Sequence, residues 1–243
     1  MNLVIDIGNS FSKIAVFNNE ELISVSSVSE VSNQNIDGLK QKYTSLNRAI
    51  VSSVKNFTSE TELYLKQNFD TFLMLDHNTP VPIENCYQTK KTLGNDRLAA
   101  VIGAFSLDPD TNKLIIDAGT ALTFDFINEK NQYLGGKISP GLEMRFKALH
   151  QFTARLPQLG KGKFDKLFGS TTAESILAGV QQGIIYETDK TIDMFKEFYT
   201  NLKVFITGGD ANFFDKKLKN SFFVNFNLTV LGLNRILEYN GEI

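Results

Sequence analysis

Four short segments combine residue types that could do chemistry together. The first is Leu3-Val4-Ile5-Asp6-Ile7-Gly8-Asn9-Ser10, with Phe11, Ser12 and Lys13 just beyond. A glycine at a hairpin tip lets backbone N–H groups turn toward an anion. Asn9 and Ser10 add side-chain donors, Lys13 adds a positive charge, and the oxygens of Asp6 suit Mg²⁺ or its waters. Taken alone, such a segment is equally a tight turn capped by Asn and Ser. The same device returns 111 residues later as Leu114-Ile115-Ile116-Asp117-Ala118-Gly119-Thr120-Ala121. Two phosphate-type hairpins facing each other across a cleft suit a nucleotide polyphosphate. The third segment, Thr207-Gly208-Gly209-Asp210, follows an apolar run. Adjacent glycines let the backbone pass close to a flat group such as an adenine ring, although alone they also make a strand-to-helix turn. The fourth runs from Tyr87 to Gly94-Asn95-Asp96-Arg97. Asp96 beside Arg97 is a carboxylate whose ionised form the guanidinium favours, and alone the pair also reads as a helix N-cap next to a surface cation.

These residues need a scaffold, and the chain supplies one. Leu3–Ile7 and Leu114–Ala118 are β-branched apolar runs, each followed across the turn by a second strand-like run, Lys13–Phe17 and Leu122–Phe126. That reads as two buried hairpins and as duplication of one α/β unit. Glu21–Ser26, Arg48–Val54, Phe72–Leu75, Tyr133–Ile138 and Lys203–Thr207 read as further strands. Thr58–Asn68, Arg97–Phe105, Gly141–Leu149, Thr172–Thr188 and Leu228–Tyr239 read as helices, and the material after Gly209 is expected to be helical too. Thr171 and Thr172 with Glu174 make a plausible cap. The predicted domains are 1–110, with the first phosphate loop and the Tyr87–Arg97 segment, and 111–243, with the second phosphate loop and the Gly-Gly loop.

Composition narrows the chemistry. The 243 residues are 42% hydrophobic and 21% charged, which suits a packed core and excludes a disordered chain. Twenty-five Lys and Arg against 27 Asp and Glu give a net charge of −2, so no basic excess exists for a nucleic-acid backbone, and no nucleic-acid partner is expected. One cysteine, Cys86, and two histidines, His77 and His150, leave little material for a disulfide, a zinc site or a Ser-His-Asp hydrolase. No segment has the apolar length of a membrane helix, and the first residues lack the pattern of a signal peptide, so a cytoplasmic protein without a membrane partner is expected.

The motifs together resemble type III pantothenate kinases. Asp6–Ser10 matches that family's Asp-x-Gly-Asn-[Ser/Thr], and Tyr87 with Gly94–Arg97 matches its Gly-x-Asp-Arg substrate motif and the tyrosine seven positions earlier. Asp117–Thr123 matches Asp-x-Gly-Thr-Ala-x-Thr, Gly135–Gly141 matches Gly-Gly-x-Ile-x-Pro-Gly, Thr153–Pro157 matches Thr-Ala-x-Leu-Pro, and Thr207–Asp210 matches Thr-Gly-Gly-Asp. One departure stands out: Gly169-Ser170-Thr171-Thr172 replaces Gly-[Arg/Lys]-Asn-Thr, keeping the threonine at Thr172 but losing the asparagine. The resemblance implies an α/β fold of two ribonuclease H-like, actin-like ATPase domains with ATP in the cleft between them. It implies phosphorylation of pantothenate by ATP, the opening step of coenzyme A biosynthesis, in a homodimer paired through the second domains. Asp96 would be the general base, and Tyr87, Gly94, Asn95, Arg97 and Thr172 would border the pantothenate. Asp6, Ile7, Gly8, Asn9, Ser10, Phe11, Ser12, Lys13, Thr120, Gly208 and Gly209 would hold ATP. Asp117 would bind K⁺ or NH₄⁺, and Asp6 would sit near Mg²⁺. A kinase for another small hydroxyl or carboxylate acceptor, and a catalytically silent regulator on the same scaffold, are the competing readings.

Overall fold

A computed structural model describes residues 1–9, 11–54 and 59–242. The chain groups into two compact units. One comprises Met1–Asp110, Ile127–Gly135 and the chain from Asn227, and the other Thr111–Phe126 and Gly136–Phe226.

In the first unit β1 (Asn2–Ile7) and β2 (Ser12–Asn18) form the expected hairpin, extended by β3 (Glu21–Val28). Helix α1 (Asn33–Lys42) leads to β4 (Arg48–Ser53), and α2 (Ser59–Asn68) leads to β5 (Thr71–Met74). The sheet order is β3-β2-β1-β4-β5, with β1, β4 and β5 parallel. Burial follows position. Leu3, Val4 and Ile5 of central β1 are wholly buried, whereas edge strand β3 has no wholly buried residue and exposes Ile23 and Val25. Ser32 caps α1 by accepting the Asn35 N–H at 3.3 Å, while the Asn35 side chain accepts from the Ser32 N–H at 3.1 Å. A two-residue strand β6 (Glu84–Asn85) and a 3-10 turn at Lys90–Thr92 precede α3 (Asn95–Leu107).

The second sheet and its helices repeat the plan. Strands β7 (Lys113–Ala118), β8 (Ala121–Ile127) and β9 (Gln132–Pro140) are followed by α4 (Leu142–Gln151) and α5 (Thr172–Phe198), then β10 (Lys203–Thr207) and β11 (Phe223–Val224). The order β11-β10-β7-β8-β9 is that of the first sheet, strand for strand. The duplication inferred from the two Asp-x-Gly segments therefore extends to topology, and Asp6 and Asp117 occupy equivalent places near the end of the first strand. Helix α5 runs ten residues past the expected end at Thr188, because the helical spacing continues through buried Ile192 and packed Phe195. The helical material expected after Gly209 is a single 3-10 turn, Ala211–Phe214. That turn buries Ala211 and Phe214 in the core of the unit and leaves no further helical stripe to bury.

The chain then returns to the first unit as α6 (Leu228–Glu242). Helix α3 is buried from Arg97 to Ala104, so it needs an apolar partner along its length, and α6 is that partner. Their backbones touch. A Cβ at Gly103 would strike the Leu228 carbonyl, and one at Gly232 would strike the Ala99 carbonyl. The polar side of α6 is clamped to the sheet. Asn2 donates to Asn234 at 2.8 Å and to Glu238, Asn234 donates to the Asn19 carbonyl at 2.8 Å, and Arg48 pairs with Glu238 at 3.1 Å. Each of these part-buried polar groups thereby keeps a partner.

Gly232→Ala is expected to destabilise the protein by roughly 1–3 kcal/mol, as overpacking does. Gly38→Ala, on an exposed turn of α1 with open space around it, should instead stabilise by about 0.5–1 kcal/mol. Urea unfolding of both variants checks the pair.

Candidate active site

The first unit brings Asp6 and Lys13, both predicted from the sequence, to one end of β1. Asp6 lies opposite Lys13 on β2 and Ser52 on β4. Beyond it, the Gly8 N–H donates to the Phe11 carbonyl at 3.2 Å. A Cβ on Gly8 would press on that same oxygen at 2.9 Å, so the closed turn calls for glycine. Phe11 is exposed, Ser12 buried and Ile7 half-buried. Ser10 lies outside the described residues.

Asp96 comes to the same neighbourhood from α3. Gly94 is the N-cap, Asn95 anchors the helix start by donating to the Leu75 carbonyl at 2.9 Å, and the Asp96 carboxylate accepts the Arg97 N–H at 2.8 Å. A negative group on the first turn of a helix is favoured by the helix dipole. A side chain at Gly94 would meet that carboxylate at 2.5 Å. The Asp6 carboxyl lies deep, and its pKa is pushed up to about 6, first by burial and then by the charge of Asp96, with Lys13 pulling the other way. Arg97 is 7% exposed, and its guanidinium lies 5.6 Å from the Tyr87 ring centre.

In the second unit Asp117 faces Thr207 across β7 and β10, as Asp6 faces Ser52 in the first. Glycines surround it. Gly208 has φ +90, and a Cβ there would strike the Asp117 carboxylate and the Ala118 carbonyl. The Gly119 N–H donates to the Ala121 carbonyl at 3.1 Å and the Gly141 N–H to the Thr120 carbonyl at 3.2 Å, and a Cβ on Gly141 would collide with the Gly119 and Thr120 carbonyls. The Asp210 N–H closes the Gly-Gly loop onto the Ala118 carbonyl at 2.9 Å. Lys161 pairs with Asp210 at 2.8 Å, and that bond raises the lysine pKa. Beside Gly209 opens a cavity of about 840 Å³ that Lys161, Lys163, Phe213 and Lys217 line. Thr120 is exposed.

Thr172 is the first residue of α5 and stands on the wall of a separate, largely apolar cavity of about 730 Å³ with Arg145, Leu149 and Phe152. The cap predicted there is present: Thr171 accepts the Glu174 N–H at 3.2 Å. Glu174 in turn binds Lys166 and the Ser170 N–H and hydroxyl, which hold its pKa at about 2. Thr171 thus serves the helix end. Sequence reasoning gave no role to Gly141, Lys161 or Tyr133. For Gly141 the signal was its place at the end of the Gly-Gly-x-Ile-x-Pro-Gly match, whereas the partner of Lys161 lies 49 residues away and left no local signal.

No group of three or more His, Cys, Asp or Glu suited to a metal occurs among the described residues. One or two carboxylates per site is a donor set that fits a cation completed by water and phosphate oxygens. Asp6 beside Asp96 fits a divalent ion, since their mutual repulsion is relieved by one.

A family model described as type III pantothenate kinase matches residues 2–194. The chain belongs to that family. A type III pantothenate kinase of Christiangramia forsetii is 44% identical over 241 residues, covering 99% of each chain. Solved structures share the fold at lower identity. A candidate Baf family transcriptional activator from Campylobacter jejuni is 24% identical with a TM-score of 0.62, covering 99% of this chain and 100% of that one. A glucokinase from an Antarctic psychrotroph is 12% identical with a TM-score of 0.53, covering 98% of each. The α/β fold of the actin-like ATPases, read from the pantothenate-kinase motifs, is the fold observed. No described helix is long and apolar enough to cross a membrane.

A raised carboxylate pKa costs stability wherever the folded protein must ionise it. Asp6 ionises at about 6 when folded and near 3.8 otherwise. The cost is therefore absent below about pH 4, grows as pH rises to 6, and is complete above it. Asp6→Asn should stabilise the ligand-free protein by ~1–3 kcal/mol at pH 7.5. The gain should vanish at pH 4, as urea midpoints at the two pH values will show.

Proposed function

We propose that this chain transfers the γ-phosphoryl group of ATP to the primary hydroxyl of (R)-pantothenate, giving ADP and 4′-phosphopantothenate for coenzyme A biosynthesis. Family membership along nearly the whole chain carries the reading. Phosphoryl transfer has a loose transition state, so catalysis is mostly positioning and charge neutralisation. Asp96 accepts the proton of the attacking hydroxyl, held in place by its bond to the Arg97 N–H. Tyr87, Gly94, Asn95, Arg97 and Thr172 border pantothenate.

The segment from Ile7 to Lys13 after Asp6 binds ATP phosphates, and Thr120 contacts them as well. Gly208 and Gly209 leave backbone room for the adenosine. Mg²⁺ neutralises the phosphate charge when bound, with Asp6 holding it through water, and Asp117 holds K⁺ or NH₄⁺. The near-equivalence of Asp6 and Asp117 in the two sheets supports this division of labour. The enzyme is cytoplasmic and works as a homodimer through the second unit. Phe152, Leu167, Phe168 and Tyr186 of that unit are each more than half exposed, apolar side chains that a partner copy would cover.

ADP formation from ATP and Mg²⁺ is expected to require pantothenate and to be faster in K⁺ than in Na⁺. Asp96→Asn should lower kcat by at least about 100-fold while ATP still binds. ATP binding without turnover of pantothenate in any cation would remove the acceptor assignment. Light scattering should give twice the 27.2 kDa chain mass, and a monomer would remove the dimer.

A further inference from the structure

Tyr133 is the largest wholly buried side chain of the protein among the described residues, and neither the motifs nor the mechanism uses it. It lies on β9, where β6 pairs with it: Asn85 sits opposite Tyr133, the Cys86 N–H donates to the Tyr133 carbonyl at 3.0 Å, and the Glu84 N–H donates to the Asn131 carbonyl at 3.0 Å. The Gln132 side chain adds a bond to Glu84 at 2.8 Å. The Tyr87 N–H then closes on the Asn85 side chain at 3.0 Å. The backbone leading into Tyr87 is thus strapped to β9, and the side chain is held as well. The Tyr87 and Tyr133 rings stack with centres 6.0 Å apart and planes 11° from parallel. Two residues along β9, Gly135 has φ +123, and a Cβ there would lie 3.6 Å from the Tyr87 ring. The ring so fixed is the one within cation–π range of the Arg97 guanidinium, at 5.6 Å.

Tyr87 carries a hydroxyl and a mobile ring, and Arg97 carries a planar fork whose value for a carboxylate depends on its direction. A ring stacked on a wholly buried neighbour cannot swing, and the guanidinium beside it inherits that restraint. We propose that Tyr133 and Gly135 are positioning residues for the acidic end of the acceptor: they hold Tyr87 against Arg97, and so fix the direction in which Arg97 meets a carboxylate. The inference rests on the assignment of pantothenate and Arg97 made above. It adds that selectivity for an acidic acceptor is built on β9, away from the substrate motif itself.

The test compares pantothenate with pantothenol, in which a primary alcohol replaces the carboxylate. Wild-type protein should prefer pantothenate in kcat/KM. Tyr133→Met keeps much of the buried volume and removes the ring. It should raise KM for pantothenate roughly tenfold, leave KM for ATP within about twofold, and shrink the preference over pantothenol by the tenfold factor. Tyr133→Phe keeps the ring and should keep the preference for pantothenate over pantothenol. Gly135→Ala would only touch the Tyr87 ring through its Cβ, but at φ +123 it must shift the backbone beneath that ring; it should follow Tyr133→Met, and it decides the matter if the latter fails to fold. A folded Tyr133→Met or Gly135→Ala with unchanged preference overturns the proposal, as does an equal loss toward both acceptors. Wild-type turnover of pantothenate without discrimination also overturns it, while leaving the kinase reading intact. Wild-type turnover of neither acceptor removes the kinase reading, and the inference falls with it.

Discussion

Helix α3 can carry Asp96 only because α6 approaches it closely enough to replace water along its whole buried length. The contact is backbone on backbone. At Gly103 and Gly232 the facing carbonyls occupy the space that any Cβ would take. Ordinary side-chain packing keeps helix axes about 8–10 Å apart and lets them slide by fractions of a turn. Here the carbonyls of Ala99 and Leu228 act as fixed stops, so α3 has one axial position. The buried polar clamp of Asn2, Arg48, Asn234 and Glu238 fixes α6 to the sheet that carries Asp6. Two carboxylates from separate elements are thereby held in register by one crossing and one hydrogen-bonded cluster.

That register has an electrostatic cost. A buried carboxylate raised to about 6 partly by a neighbouring carboxylate is an arrangement no fold adopts for stability. It makes sense if positive charge arrives with the ligand. The second unit solves a related problem differently. It crowds glycines, Gly119, Gly141 and Gly208, around Asp117 until backbone groups occupy the space where side chains would be. The two sites share a strand position and differ in their surroundings, as expected of duplicated units that have taken separate roles.

The long α5 joins the core of its unit to the wall of a cavity. Its inner face supplies Ile176, Val180, Ile184 and Ile192 to the core of the second unit, and its first residue is Thr172. The cap formed by Thr171, with Ser170, Lys166 and Glu174 around it, holds that end of the helix without the asparagine the family motif carries. The departure in sequence is thus accommodated as local capping chemistry.

The hairpins, the Asp-x-Gly turns, the Gly-Gly loop and the start of α3 were legible in the chain alone. They are local: apolar β-branched runs, turn glycines and N-caps exert their effects within a few residues. Duplication was legible too, because each copy repeats the same local chemistry, and family resemblance extended it to the actin-like ATPase fold. What distant segments supply was not legible. That α6 crosses α3, that Lys161 meets Asp210, and that Tyr133 steadies Tyr87 depend on contacts between segments 46 to more than 120 residues apart. No pattern in composition or spacing encodes which buried faces meet. Even the helix expected after Gly209 was decided by tertiary packing, since one 3-10 turn already places Ala211 and Phe214 in the core. The sequence by itself determined which residues could do chemistry and which turns present them. The tertiary structure decided how they are aimed, because direction comes from packing and buried charge, and both exist only once the chain has folded.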